Sequence, residues 1–340
     1  MTTSVTTSVT TSVSTPVSTS VSTSVSTSVS TPVSTPVSTP TTTPVVTPHP
    51  AELPTRTSAL VADALAPLTA VDLPTVLEQA ELQSRVDRKY LVPTQTFTEL
   101  LTRLGERYSV LEIDDRRLFQ YESVYFDTPQ LHLYRQHLQG RRLRYKVRTR
   151  TYVDSDICML EVKLKGRRSQ TIKTRFPHAT EHRAVLTDQG HRLLDDLLHT
   201  EYGISAPALA PVVTTRYLRG TLVDLEEGNR FTCDLDLVCE HHGRTAGGLT
   251  DQILVESKTV GGRSAADRIL RELGVRPVSI SKYCVALALL NPTVVTNPWN
   301  RVLRHHFDWR PKSHLREWDV ADPGAGQSDA GVRIGPLPAA

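Results

Sequence analysis

The sequence predicts an α+β protein built on an eight-stranded antiparallel β-sheet closed into a barrel, with helices packed outside it. Three observations carry this expectation. Apolar and polar residues alternate with period two through most of the stretch from Glu81 to Lys258. The alternation breaks into eight runs separated by turns or helical excursions. Closing such a sheet also removes its exposed edges. The runs fall at 82–92, 121–127, 142–152, 157–165, 170–176, 212–219, 229–238 and 252–259, and helical patterns fit 94–107, 129–138, 182–200, 264–273 and 282–290. Ser264 followed three residues on by Asp267 reads as a capping box at the start of the fourth helix.

The flanks read differently. Residues 1–48 contain only Met, Thr, Ser, Val and Pro, so nothing there buries enough apolar surface to offset chain entropy. The expected organisation is a low-complexity disordered tail over 1–50, a lead-in of one or two short helices over 51–80, the barrel domain over 81–290, a basic Trp-containing extension over 291–320 and a disordered tail over 321–340. The extension holds Trp299, Trp309 and Trp318 among arginines, and packing back on the barrel is its expected role. No basic n-region with an apolar stretch marks a signal peptide, and no run is apolar enough for a transmembrane helix. Cys158, Cys233, Cys239 and Cys284 lie far apart without a CxxC pair, which argues against a zinc knuckle or disulfide framework and fits a reducing, cytoplasmic setting.

A net charge of +3 hides strong local structure. Between Arg141 and Arg175 twelve basic residues face three acidic ones. Alternation decides their direction, because successive side chains on a strand point to opposite faces. Arg142, Arg144, Lys146, Arg148 and Arg150 share one face, opposite Leu143, Tyr145, Val147 and Thr149. Glu161, Lys163 and Lys165 oppose Leu160, Val162 and Leu164, and Lys173 and Arg175 follow. Arg230, Asp234 and Asp236 repeat the arrangement, as do Glu256 with Lys258 and Asp87 with Lys89. One such strand is a solvated face; six are not, since like charges side by side repel and call for a counter-ion. A polyanion inside the barrel would supply it. The interleaved carboxylates and the near absence of aromatics speak against nucleic acid, whose grooves offer stacking surfaces. Carboxylates beside phosphate-binding cations suit Mg²⁺ or Mn²⁺, which take oxygen ligands from protein and phosphate together.

The runs Arg85-Val86-Asp87-Arg88-Lys89-Tyr90, Ser123-Val124-Tyr125-Phe126-Asp127-Thr128-Pro129, Arg142-Leu143-Arg144-Tyr145-Lys146-Val147-Arg148, Leu160-Glu161-Val162-Lys163 and Ser281-Lys282-Tyr283 resemble, in order, the VTC domain. That family is the polyphosphate polymerase branch of the triphosphate tunnel metalloenzymes, related to the CYTH domains. The resemblance implies an eight-stranded tunnel, ATP and inorganic polyphosphate as partners, Mn²⁺ or Mg²⁺ as cofactor, and transfer of the terminal phosphoryl of ATP to the growing chain. It implies catalytic roles for Lys89, Arg142, Arg144, Lys163, Arg230 and Lys282, and phosphate contacts from Lys173, Arg175, Arg216 and Lys258. Lys146 and Lys165 join these from the cationic face, and Ser281 either donates to phosphate or caps the last helix. Glu256 is the leading metal ligand and Glu161 the second. Relatives with triphosphatase activity open with Glu-x-Glu-x-Lys where this chain has Arg85-x-Asp87-x-Lys89, a departure that favours the polymerase branch. A triphosphatase of the CYTH type and a non-catalytic polyanion-binding module are the alternatives. A membrane-protein partner is left open, although no phosphate-sensing domain or membrane segment is recognised.

Overall fold

The structure, a computed structural model, describes residues 55–79, 86–166, 171–249, 251–259 and 261–310. The expected tails over 1–50 and 321–340 lie outside these residues, as do Arg85 and Trp318. The lead-in forms two short helices. α1 (Arg56–Leu65) begins at Thr55, whose hydroxyl accepts from the Ser58 amide, and α2 (Leu73–Gln79) begins after Asp72, whose carboxylate accepts from the Thr75 amide. Each cap satisfies an amide that the first helical turn leaves without a partner.

Between these helices lies β1 (Ala70–Val71), which pairs in parallel with β3 (Ser109–Leu111), and after α2 comes the long strand β2 (Val86–Pro93). The remaining long strands are β4 (Phe119–Asp127), β5 (Tyr145–Tyr152), β6 (Ile157–Lys165), β7 (Thr171–His178), β8 (Ala210–Asp224), β9 (Asn229–His241) and β11 (Gln252–Thr259), with the short β10 (Arg244–Gly248) folded onto β9. The main sheet is antiparallel in the order β2-β11-β9-β8-β4-β5-β6-β7. Each expected run overlaps one of these strands, and β2, β4, β7, β8 and β9 reach beyond the runs. The short β1, β3 and β10 are additions, being too brief to show a period.

The expected closed barrel is not what forms. β2 and β7 end the path, and no ladder joins them among the described residues. Part of the free edge of β2 is occupied by the segment ahead of the helix at 282: the Val278 amide donates to the Lys89 carbonyl at 2.7 Å, and Lys89 Nζ donates to the Ile280 carbonyl at 3.2 Å. The sheet nevertheless curls until its two ends approach, since Lys163 on β6 reaches within 3.8 Å of Asp87 on β2.

The helices after α2 are α3 (Thr94–Leu104), α4 (His132–Leu138), α5 (Asp188–Tyr202), α6 (Ala265–Glu272), α7 (Lys282–Leu290) and α8 (Asn300–His306). Leu65 of α1, Phe97 of α3 and Leu270 of α6 bury against the outward residues Val92, Phe231, Cys233, Leu235 and Val255. α5 covers Val147, Leu160, Val162 and Leu164 through Leu194 and Leu198. Each fully buried side chain of this size contributes about 1.5–3 kcal/mol. α6 carries the expected capping box: the Asp267 amide donates to Ser264 Oγ at 3.1 Å and the Ser264 amide to Asp267 Oδ2 at 3.0 Å.

α7 departs from the helices-outside expectation. It packs against Leu91, Tyr125, Tyr217 and Leu254, which point to the inner side of the curl. Its sequence, KYCVALALL, is apolar nearly all round, and such a helix is stable only when buried on every side. Trp299 joins the same cluster, its ring centroid 5.6 Å from that of Tyr134. All four cysteines are buried and free. No helix among the described residues is long and apolar enough to cross a membrane.

Candidate anion-binding site

Where α7 does not fill the curl, a cavity of about 290 Å³ remains, and among the described residues eleven cationic side chains line it against two carboxylates. The cations are Lys89 (β2), Lys146, Arg148 and Arg150 (β5), Lys163 (β6), Lys173 and Arg175 (β7), Arg219 (β8), Arg230 (β9), Lys258 (β11) and Lys282 (α7); the carboxylates are Glu161 and Glu256.

Register explains how residues so distant in sequence converge. Lys146, Lys163 and Lys173 lie directly opposite one another across β5, β6 and β7, a row of three like charges. One step along, Arg148, Glu161 and Arg175 form the neighbouring row. Across the other half, Lys258 faces Asp87 on one side and Arg230 on the other, while Glu256 lies between Lys89 and Thr232. Like charges directly opposite destabilise a sheet, so the lysine row is tolerable only with anions nearby.

The carboxylates divide into two kinds. Glu161 is almost wholly buried and accepts from Arg148 at 2.9 and 2.6 Å and from Lys173 at 2.6 Å, with Arg175 at 3.1 Å. Asp234, just behind the lining, accepts from Arg219 at 2.6 and 2.8 Å and from Lys282. Burial works against ionisation of both, but these cations outweigh it and hold both carboxyls far below their ordinary range. They fix cations in place. Glu256 is less committed, with Lys258 Nζ 3.3 Å away; burial opposes its charge, yet Lys258, Lys89, Arg219 and Lys163 hold it ionised.

The lysines respond in the opposite sense. Burial pushes Lys258 down to about 7, with Arg219 and Arg230 adding to the effect and Glu256 opposing it. Burial likewise lowers Lys146 to about 8, helped by Lys89 and Lys163. Arg150 donates to the Tyr217 hydroxyl at 3.0 Å, and the Tyr217 ring lies 4.2 Å from Lys282 Nζ.

Of the residues singled out from sequence, Lys89, Lys146, Lys163, Lys173, Arg175, Arg230, Lys258, Ser281, Lys282, Glu161 and Glu256 are brought together in this cavity. Arg142, Arg144, Lys165 and Arg216 are not among its lining residues. β5 starts at Tyr145, not at 142, because Arg141 donates to the Gln136 carbonyl at 2.9 Å and holds 141–144 in a turn after α4. Arg142 is exposed there, and Arg144 donates to the Arg141 carbonyl at 2.6 Å. Lys165 ends β6 opposite Thr171. Arg216 points to the other face of β8, paired with Glu122 at 2.8 Å and Glu240 at 2.9 Å. Asp236 also leaves the charged face. It sits with φ of 51° where the β8–β9 register shifts, and accepts from the Thr55 hydroxyl at 2.8 Å. Ser281 makes no side-chain cap bond to α7.

Sequence reading did not nominate Arg219, although it shares the parity of Tyr217 and Thr221. Arg148 and Arg150 carried the same alternation signal as their neighbours. The expectation of a face almost without aromatics is corrected too, as Tyr121, Tyr125 and Tyr152 line the cavity.

Glu256 and the surrounding cations fit a divalent ion that arrives with phosphate better than one held by the protein alone. Among the described residues no group of three or more His, Cys, Asp or Glu side chains could hold a metal. Mg²⁺ commonly takes one or two carboxylates and completes its shell with substrate oxygens and water.

The fold and cavity define a protein that gathers cations inside a curled antiparallel sheet. The VTC domain model matches residues 84–291, and the chain belongs to that family. No curated protein sequence matches it. Among solved structures it is similar to a Hippeastrum protein provisionally named an adenylyl cyclase and described with a dominant triphosphatase activity, at 15% identity, TM-score 0.39, and coverage of 60% of this chain and 95% of that one. A Vibrio parahaemolyticus protein provisionally named an adenylate cyclase is similar at 16% identity, TM-score 0.36, and coverage of 61% and 98%. A Pyrococcus horikoshii OT3 protein is similar at 18% identity, TM-score 0.36, and coverage of 60% and 96%.

Proposed function

We propose that the protein is a polyphosphate polymerase that transfers the terminal phosphoryl of ATP to a growing inorganic polyphosphate chain. The observation that carries this reading is the charge imbalance: eleven cations against two carboxylates in one cavity. ATP bound with a divalent ion presents a net charge of only about two negatives, so even with Asp234 and Asp87 pairing from beside the lining, one nucleotide leaves an excess of positive charge. A second phosphate chain lying beside it would neutralise that excess. Membership of the VTC domain family supports the same reading.

In this scheme a terminal oxygen of the polyphosphate attacks the γ-phosphorus of ATP. A new P–O–P bond forms, the bond from the γ-phosphorus to the β–γ bridging oxygen breaks, and ADP leaves with that bond's electrons. No protein nucleophile is required, because phosphoryl transfer depends mainly on in-line positioning and charge stabilisation. Arg148, Arg150, Arg219 and Arg230 supply forked donors able to hold two phosphate oxygens at once, whereas Lys89, Lys163, Lys258 and Lys282 act as point charges. Glu256 would hold the divalent ion, which when bound offsets charge on the transferring group. Glu161 and Asp234 position the cations and stay out of the chemistry.

The test is purified protein with ATP and Mn²⁺, resolved on a gel for polyphosphate. A ladder of polymer with one ADP released per residue added supports the reading. Release of inorganic phosphate alone overturns it in favour of a triphosphatase, and tight, metal-independent polyanion binding without turnover overturns it in favour of a binding module.

A further inference from the structure

One end of the cavity is chemically unlike the rest. Its wall is made by Leu73, Val76 and Leu77 of α2, Leu111 of β3, and Tyr121 and Tyr152 from β4 and β5. Val76 is buried in a cluster with Val71, Leu111, Phe119 and Val223 and so anchors the helix. Leu73 and Leu77, four residues apart and therefore on one helix face, remain 41% and 51% exposed although both line the cavity. Two leucines held open to water on a capped helix are not needed to bury α2, since Val76 already does so.

This wall adjoins the charged floor directly. Arg150 and Arg219 stand over the Tyr121 ring at 5.5 and 5.0 Å from its centroid, and Tyr152 meets the same ring edge-on at 5.1 Å. Crossing from the guanidinium groups to the apolar wall therefore takes one aromatic ring. An inorganic phosphate chain has no apolar part and gains nothing from such a wall. A ligand that uses both ends carries a phosphate chain and a flat, weakly polar group.

We propose that the wall formed by Leu73, Leu77, Leu111, Tyr121 and Tyr152 seats the base of a nucleoside triphosphate whose phosphates lie on the adjoining cations. The seat distinguishes a nucleotide from inorganic triphosphate. It rests on ATP being the phosphoryl donor, and it adds a recognition element contributed by α2, which precedes the residues matched by the family model.

The experiment measures binding by calorimetry, without turnover, of the β,γ-imido analogue of ATP and of inorganic tripolyphosphate to the full chain and to two variants, Leu73→Ser/Leu77→Ser and Tyr152→Ala. Both leucines are exposed, and retained tripolyphosphate binding certifies the fold. Loss of base contacts should weaken the nucleotide analogue about 10-fold in each variant while tripolyphosphate changes by less than about twofold. Equal weakening of both ligands would show that α2 merely shapes the phosphate floor and would overturn the proposal. So would unchanged nucleotide affinity, or a wild-type protein that binds tripolyphosphate but no nucleotide. If the analogue behaves as expected yet ATP yields no polymer, the base seat stands and the polymerase reading falls.

Discussion

Lys163 Nζ lies 3.8 Å from Asp87 Oδ2, a contact between β2, which ends the sheet path, and β6, next to its other end. The seam that no ladder closes among the described residues is thus bridged by charge. Lys163 is also the middle member of the lysine row, with Lys146 on one side and Lys173 on the other. It is 47% exposed, so the Asp87 contact is screened and is worth little; Glu161 offsets the charge of Lys173 at one end of the row, and a polyanion would relieve the repulsion that remains. Lys163→Met should raise the stability of the ligand-free protein by about 0.2–1 kcal/mol and weaken tripolyphosphate at least about 10-fold. Thermal melts with and without tripolyphosphate check this; a variant that melts lower without ligand would refute the repulsion argument.

Glu256 separates metal dependence from anion binding. Glu256→Gln removes a carboxylate from among four cations while keeping its size. Turnover with ATP and Mn²⁺ should fall about 10²–10³-fold. Tripolyphosphate binding in EDTA should hold or tighten, since the floor becomes more positive. Turnover kinetics and metal-free calorimetry give the two numbers. Removing the divalent ion from the wild type with EDTA should reproduce the loss of turnover.

The depressed lysines set the pH dependence. Lys258 titrates at about 7 and Lys146 at about 8 without ligand, so both are losing charge as pH rises through that window. A polyanion favours their protonated forms. Binding near pH 8 should therefore take up protons, and affinity should fall between pH 6 and pH 9. Stability of the ligand-free chain runs the other way. The unfolded chain keeps these lysines charged up to their ordinary value near 10.4, so it binds more protons than the folded chain above about pH 7, and stability should rise with pH there. Calorimetry in buffers of different ionisation enthalpy measures the proton uptake; a pH-independent affinity would contradict these values.

Asp127 is structural. It is fully buried and accepts from the amides of Thr128 at 2.7 Å, Leu133 at 2.8 Å and Tyr134 at 2.9 Å, and from the Tyr283 hydroxyl. It thereby ties the start of α4 to α7. Asp127→Ala would strand several buried donors, so it should cost about 3 kcal/mol or more. A denaturant midpoint close to wild type would show that these bonds matter little.

Period-two alternation, a local property, already separates Lys146, Arg148 and Arg150 from Tyr145, Val147 and Thr149, and the structure buries the second set under α5 or against neighbouring strands. Parity is silent about where a strand begins, which is why Arg142 and Arg144 read as part of β5 although a turn holds them out. It is silent about bulges, which is how Asp236 seemed to share the face of Asp234. On β8 the sequence reading picks Arg216, whereas Arg219, of opposite parity, lines the cavity; the ladder to β4 sets Glu122 opposite Arg216 and holds it on the other face. The seam between β2 and β7 and the placing of α7 inside the curl are non-local. They depend on which backbone reaches the free edge of β2, and no single run of residues encodes that. The apolar wall combines residues from α2, β3, β4 and β5, whose separate patterns read as ordinary core.

The row formed by Lys146, Lys163 and Lys173 makes the ligand a partner in folding. Any polyanion that binds the folded chain and not the unfolded one adds RT ln(1 + [L]/Kd), about 2.7 kcal/mol at a hundredfold excess over Kd. That is a large share of the 5–15 kcal/mol holding a typical domain together. The persistence of this protein against proteases should then track the supply of phosphate chains around it, so that it is longest-lived where such chains are abundant.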